Sequence, residues 1–133
     1  MRYHAYVRGS TPMKDMARLL AVLADATRLR LVRLLLRQEL CVCELVDALC
    51  MPQYKVSRHL RQMRAIGLVE ARRRGRWMHY RIGGVAAPGG VHQALLKVLD
   101  AHLKDLPDAK RDDARLRRRL ALRQAGRCIV GQR

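Results

Sequence analysis

The sequence predicts a mainly α-helical fold with one β-hairpin wing. Apolar residues recur at helical spacing along five segments of the 133-residue chain, whereas alternation of period two occurs only beside a basic turn near residue 75. Phenylalanine is absent, so leucine, valine, alanine and methionine must fill the core, and these residues favour helices. We expect one domain over residues 11–105, a loose N-terminus over 1–10, and a basic, partly helical tail over 106–133.

Capping residues and apolar spacing define the first three helices. Thr11 and Pro12 are typical of a helix start, because threonine caps the helix N-terminus and proline fits its first position. Asp25 is expected to cap a second helix in the same way. The stretch 40–49 predicts a short leading segment followed by a third helix.

The fourth helix has one apolar face and one polar face. Pro52 opens it, Gly67 ends it, and Val56, Leu60 and Met63 occupy one side at spacings of four and three residues. The opposite side and the residues before it are polar, and they are the candidate DNA-contacting residues of this helix: Gln53, Tyr54, Lys55, Ser57, Arg58, His59, Arg61 and Gln62.

A β-hairpin and a fifth helix complete the domain. Alternating runs on either side of residues 72–76 predict two strands joined by a glycine-containing turn. The basic side chains at its tip, which suit DNA phosphates or the minor groove, are Arg72, Arg73, Arg74 and Arg76. A fifth, amphipathic helix follows over 91–103 and stops at Pro107. This order of elements is typical of a winged helix-turn-helix.

The net charge of +17 is concentrated in two blocks. Residues 53–82 contain nine Lys or Arg residues and one acidic residue, and residues 108–133 contain nine and three. Such blocks indicate a polyanionic partner, and with the predicted fold they favour double-stranded DNA. The sequence has neither an export signal nor an apolar run long enough to span a membrane, so we expect a cytoplasmic protein with no membrane partner.

The cysteines suggest chemistry with a soft ion. Cys41, Cys43 and Cys50 lie within ten residues, and Cys128 lies near the C-terminus. In a reducing compartment such a cluster favours metal binding or redox chemistry over disulfide bonds. Thiolates select soft ions, so trivalent arsenic or antimony suits a pair such as Cys41 and Cys43.

Four motifs resemble the arsenic-repressor (ArsR/SmtB) family of bacterial metal sensors. They are LADATRL at 23–29, ELCVCEL at 39–45, KVSRHL at 55–60 and GRWMHYR at 75–81, within a resemblance that covers residues 13–105. The cysteine motif resembles the arsenite-responsive branch most specifically. The resemblance implies a repressor of a neighbouring resistance operon, with a symmetric homodimer formed by residues 12–24 and 91–104.

The resemblance also implies that As(III) or Sb(III) binds Cys41 and Cys43 and releases the operator DNA. Relatives often carry a third cysteine where this chain has Val46, so Cys50, Cys128, a small thiol or water is left as the third ligand. Cysteines two apart in a regular helix point about 200° apart, which predicts that the first helical turn unwinds on binding.

Two alternatives remain at this stage. The first is a redox sensor of the same fold, in which oxidation of the thiols replaces ion binding. The second is a constitutive DNA-binding protein with inert cysteines. An enzyme is disfavoured, because no glycine-rich anion loop precedes the thiols and no catalytic triad is evident near them.

Overall fold

The computed structural model describes residues 12–84 and 91–124. Within these ranges the chain forms helices and strands in the following order: α1 (Pro12–Leu23), α2 (Ala26–Leu35), β1 (Leu40–Cys41), α3 (Val42–Leu49), α4 (Gln53–Ala65), β2 (Val69–Arg74), β3 (Trp77–Ile82), α5 (Val91–Leu103) and α6 (Pro107–Leu120). No helix in the described residues combines the length and the hydropathy required to cross a membrane.

Local sequence signals account for most element boundaries. Asp25 caps α2, and its carboxylate accepts a hydrogen bond from the backbone N–H of Arg28 at 3.1 Å. Gly67 follows α4 with a φ of +77°, and Gly75 turns the hairpin with a φ of +66°. Both positions need the left-handed conformation that glycine adopts without steric penalty. Pro107 begins α6 directly after the short connection from α5.

The small sheet joins the hairpin to the segment before α3. Its strand order is β1–β3–β2, and both pairings are antiparallel. The predicted leading segment is therefore a strand, in which Leu40 pairs with Tyr80 and Cys41 pairs with His79. The first cysteine of the pair is thus part of the same sheet as the wing.

One hydrophobic core lies beneath α1 to α5 and extends to α6. The largest buried side chains include leucines from α1, α2, α3 and α4, and the apolar face predicted for α4 is fully buried at Val56, Leu60 and Met63. Burying these faces is the main favourable term in folding. The mainly α-helical winged helix-turn-helix fold predicted from the sequence is confirmed.

Helix α6 is held against α2 and α3 by charged groups. Arg30 on α2 makes two hydrogen bonds to the buried carboxylate of Asp112, at 2.8 and 2.9 Å. Arg33 pairs with Asp113 and donates to the carbonyl oxygen of Ala109 at 3.1 Å. Within the predicted basic tail, α6 therefore contributes to the folded structure.

Candidate thiol site and basic surface

The two cysteines of the ELCVCEL motif have converging sulfur atoms. Cys41 is the N-cap of α3, with extended backbone angles of φ −83° and ψ 161°, whereas Cys43 lies within the first turn of the helix. The two Sγ atoms are 2.6 Å apart. The premise that both cysteines lie in a regular helix is wrong, because Cys41 lies outside it and its side chain turns toward that of Cys43. Unwinding of the first turn on ion binding stays a prediction.

The thiol pair is enclosed by protein. Cys41 is fully buried and Cys43 is 7% exposed, and Trp77, the only tryptophan of the chain, packs against this pair. Cys50 lies at the other end of α3, exposed and in the left-handed conformation. The eight residues of α3 separate it from the pair by roughly 10 Å at 1.5 Å per residue. Cys128 lies outside the described residues.

Two arginines from the C-terminal part of the chain border the thiol pair. The Nη2 atom of Arg119, on α6, lies 3.2 Å from the Sγ atom of Cys43, and its Nε atom lies 2.8 Å from a carboxylate oxygen of Asp47. Arg123 binds both carboxylate oxygens of Glu44, at 2.6 and 2.7 Å. A cationic donor beside sulfur favours the thiolate, which is the form that binds metals and metalloids.

Glu44 connects the arginines to the backbone of the thiol motif. Its carboxylate is fully buried and accepts a hydrogen bond from the backbone N–H of Cys41 at 3.0 Å. Burial alone would raise the pKa of Glu44, but the hydrogen bonds from Arg123 and Cys41 and the charge of Arg119 hold the pKa below its usual value. Glu44 therefore stays ionised and fixes the N-terminus of α3.

Sequence reasoning missed these arginines, although a signal was present. Arg115, Arg119 and Arg123 are spaced by four residues, which places them along one side of a helix and its extension. Arg115 also faces α3, where it donates to the carbonyl oxygen of Ala48 at 2.7 Å. The pattern is equally compatible with a solvated helix face, so the sequence alone could not assign the arginines to α3.

Helix α4 presents most of the predicted polar residues to solvent. Gln53, Tyr54, Lys55, Arg58, Arg61 and Gln62 are exposed, and Ser57 is half-buried. His59 differs, because it is buried and its Nδ1 atom accepts a hydrogen bond from Arg28 at 3.2 Å. Burial lowers the pKa of His59, so the ring is kept neutral. Arg28 also binds Gln62 and thereby fastens α4 to α2, a role that sequence reasoning did not assign.

The wing presents all four predicted arginines on its surface. All four are exposed: Arg72, Arg73 and Arg74 end β2, and Arg76 lies in the turn before β3. Arg72 and Arg74 also lie within ion-pair distance of Glu39, the residue before β1.

Helices α1 and α5, predicted to form a homodimer, leave apolar side chains exposed. Met13 is 80% exposed and Leu20 is 50% exposed on α1, and Val98 is 55% exposed on α5. Singly exposed apolar side chains also occur on α4 and beyond α5, so a homodimer through α1 and α5 stays a prediction.

The described residues contain no complete metal site of protein ligands. No group of three or more His, Cys, Asp or Glu side chains within residues 12–84 and 91–124 could hold a metal ion. The thiol pair is therefore a two-ligand site as far as the described part of the chain extends.

Comparison with known proteins identifies regulatory relatives. Residues 25–71 match the family described as "Bacterial regulatory protein, arsR family". The chain is 43% identical over 91 residues to arsenic resistance transcriptional regulator ArsR1 of Pseudomonas putida, covering 68% of this chain and 64% of that protein. It is 44% identical over 87 residues to ArsR2 of the same organism, covering 65% and 75%. The chain thus spans slightly less than two thirds of the first relative's length.

A solved structure shares the fold. The homodimeric winged helix-turn-helix DNA-binding domain of Mb0332 from Mycobacterium bovis superposes with a TM-score of 0.58 at 30% identity. The match covers 75% of this chain and 96% of that chain. Homologues and fold are those of transcriptional regulators and not of enzymes.

Proposed function

Because the chain belongs to the arsR family of bacterial regulatory proteins, we propose that it is a dimeric repressor that releases operator DNA when trivalent arsenic binds Cys41 and Cys43. The observation that carries this proposal is the convergence of the buried sulfur atoms of Cys41 and Cys43 at the N-terminus of α3. Two thiolates on one side of a helix N-terminus suit a small soft ion. The relatives named for arsenic resistance support the same ligand.

The third valence of arsenic is supplied from outside the described site. Cys50 is exposed at the far end of α3 and is not a ligand in this arrangement. Cys128, water or a small thiol therefore completes the coordination. Trivalent antimony has the same preference for sulfur and is the second inducer that we propose.

The DNA-binding part of the proposal rests on α4 and the wing. We assign major-groove contacts to the exposed polar side chains of α4, and phosphate contacts to Arg72, Arg73, Arg74 and Arg76. A homodimer through residues 12–24 and 91–104 would cover the apolar side chains exposed on α1 and α5. It would also place two copies of α4 on successive half-sites of cytoplasmic operator DNA.

Release follows from linkage between the two sites. If arsenic binds the DNA-free protein more tightly than it binds the protein–DNA complex, it must lower the affinity for DNA. The two affinities change by the same factor. Arg119 lies against the sulfur of Cys43 and must move when arsenic occupies that side. Cys41 lies in the sheet that carries the wing, which provides a direct route from the thiols to the DNA-binding surface.

The test is a DNA-binding titration with and without arsenite, using a duplex selected by the protein from a random-sequence pool. Wild type and Cys50→Ser should lose affinity on addition of arsenite, whereas the Cys41→Ser, Cys43→Ser double variant should not. Arsenite binding is followed separately through the fluorescence of Trp77, which packs against the thiol pair. An unchanged wild-type affinity at saturating arsenite would refute the proposal, and release by peroxide alone would favour the redox alternative.

A further inference from the structure

We propose that Glu39 couples the thiol pair to the wing, because its carboxylate competes with DNA phosphates for Arg72 and Arg74. The inference rests on the proposed function, and it deepens that function by naming the residue through which the arsenic signal reaches the DNA-binding surface. Glu39 is a positioning residue in this scheme, since it contacts neither the arsenic nor the DNA.

Glu39 already occupies the guanidinium donors that a phosphate would need. Its carboxylate lies 3.2 and 3.3 Å from nitrogen atoms of Arg72 and 3.4 Å from Nη1 of Arg74. Arginine binds carboxylate and phosphate through the same kind of donor, so Glu39 competes with phosphate for Nε and Nη2 of Arg72 and for Nη1 of Arg74. Both arginines are about half exposed, so phosphate can reach them once the Glu39 carboxylate moves away.

The position of Glu39 is set by the thiol motif. It precedes β1, so only Leu40 separates it from Cys41. Its backbone carbonyl accepts a hydrogen bond at 3.3 Å from Arg123, the arginine that also binds Glu44. Movement of β1 or of Arg123 therefore moves Glu39 relative to the wing.

In the structure, the sulfur atoms of Cys41 and Cys43 converge while Glu39 is paired with Arg72 and Arg74. Arsenic bridging Cys41 and Cys43 would hold β1 in this arrangement and keep Glu39 on Arg72 and Arg74. DNA binding requires the opposite, since the arginines must turn from Glu39 to phosphate. The two ligands thus favour different positions of the same side chains, which is the condition for negative coupling.

The hairpin contains a matched control. Glu70 on β2 binds Arg81 on β3 at 3.1 Å, and both side chains are about half exposed. Glu70→Gln and Glu39→Gln each remove one negative charge from the same side of the fold, but only Glu39 adjoins the thiol motif. The difference between the two variants therefore separates a specific competition from a general change of charge.

The experiment measures the dissociation constant for the selected duplex, with and without arsenite, for wild type, Glu39→Gln and Glu70→Gln. Removing two partly exposed ion pairs should tighten arsenite-free binding of Glu39→Gln about three- to tenfold. The factor by which arsenite weakens binding should fall at least twofold in that variant, because arsenic no longer holds a competitor on the arginines. Glu70→Gln should stay within about twofold of wild type in both quantities.

A second variant guards against misfolding of the first. In an Arg72→Gln, Arg74→Gln background the substitution of Glu39 should have no further effect on DNA affinity, because its two arginine partners on the wing are gone and only the contact with the buried His79 remains. If Glu39→Gln and Glu70→Gln have the same dissociation constants and arsenite factors, the inference is wrong. If wild type binds DNA but does not respond to arsenite, the proposed function fails, while the arsenite-free comparison still tests the competition.

Discussion

Residues 53–82 and 108–133 contain the same number of basic residues. All nine are exposed in the first region, whereas Arg115, Arg119 and Arg123 of the second are buried or half-buried. In the first region, arginines of α4 and the wing extend into solvent. In the second, Arg115, Arg119 and Arg123 bind a backbone carbonyl, Asp47 and Glu44 of the same chain. A basic block thus indicates a polyanionic partner only where its side chains stay exposed, which composition alone does not reveal.

The largest expected effect is on stability, and it concerns the ion pair between Arg123 and the buried Glu44. Arg123→Gln leaves the carboxylate of Glu44 buried without its main partner and should lower the free energy of unfolding by about 3 kcal/mol. Arg111→Gln, which removes an exposed pair with Asp108, should cost at most about 0.5 kcal/mol. Urea unfolding followed by circular dichroism measures both.

The Glu44→Gln, Arg123→Gln double variant is the control for this prediction. Replacing both partners removes the unpaired buried charge, so most of the lost stability should return. Equal stabilities for Arg123→Gln and Arg111→Gln would show that the buried pair of Arg123 with Glu44 contributes no more to stability than an exposed ion pair of the same region.

The next largest effect is on DNA affinity, and it concerns the exposed arginines of α4. Arg58→Gln and Arg61→Gln should each weaken binding to the selected duplex by about 1–3 kcal/mol while leaving unfolding unchanged, because both side chains project from α4 into solvent. Arg117→Gln on α6 is the matched control, since that side chain is also exposed. Fluorescence anisotropy gives the affinities. A greater loss for Arg117→Gln than for either α4 variant would reassign the DNA contact to α6.

The smallest expected effect is on the pH dependence of stability, and it compares the buried His59 with the exposed residues of α4. Burial lowers the pKa of His59, so the unfolded chain binds a proton more readily than the folded protein near pH 6. The stability contributed by the neutral ring is present above a pH of about 6.5 and is lost as the pH falls below it. His59→Gln should therefore reduce the loss of unfolding free energy between pH 7.5 and 5.5, as measured by urea unfolding.

Urea unfolding of wild type over the same pH range provides the reference for this measurement. A pH dependence of His59→Gln equal to that of wild type would mean that His59 is accessible to solvent like its neighbours on α4.

Local signals made most of the fold predictable. Asp25, Gly67 and Gly75 determine boundaries through capping or a positive φ, and these effects depend on neighbouring residues only. The apolar face of α4 was predictable because its spacing matches the helical period. Such features need no knowledge of the distant chain.

The arrangement of the thiol site depended on features that the sequence does not reveal. The sulfur atoms converge because the helix begins between Cys41 and Cys43, and element boundaries are predicted only to within a few residues. Arg119 lies 76 positions beyond Cys43, and no local pattern connects them. The inward position of His59 depends likewise on Arg28, which is 31 residues away in the chain.

The most direct test of arsenic binding by Cys41 and Cys43 is X-ray absorption at the arsenic edge. The protein is reduced with a phosphine and loaded with one equivalent of arsenite. Arsenic should have at least two sulfur neighbours in wild type and in Cys50→Ser. It should have fewer than two in the Cys41→Ser, Cys43→Ser variant. The same number of sulfur neighbours in that variant as in wild type would contradict this assignment.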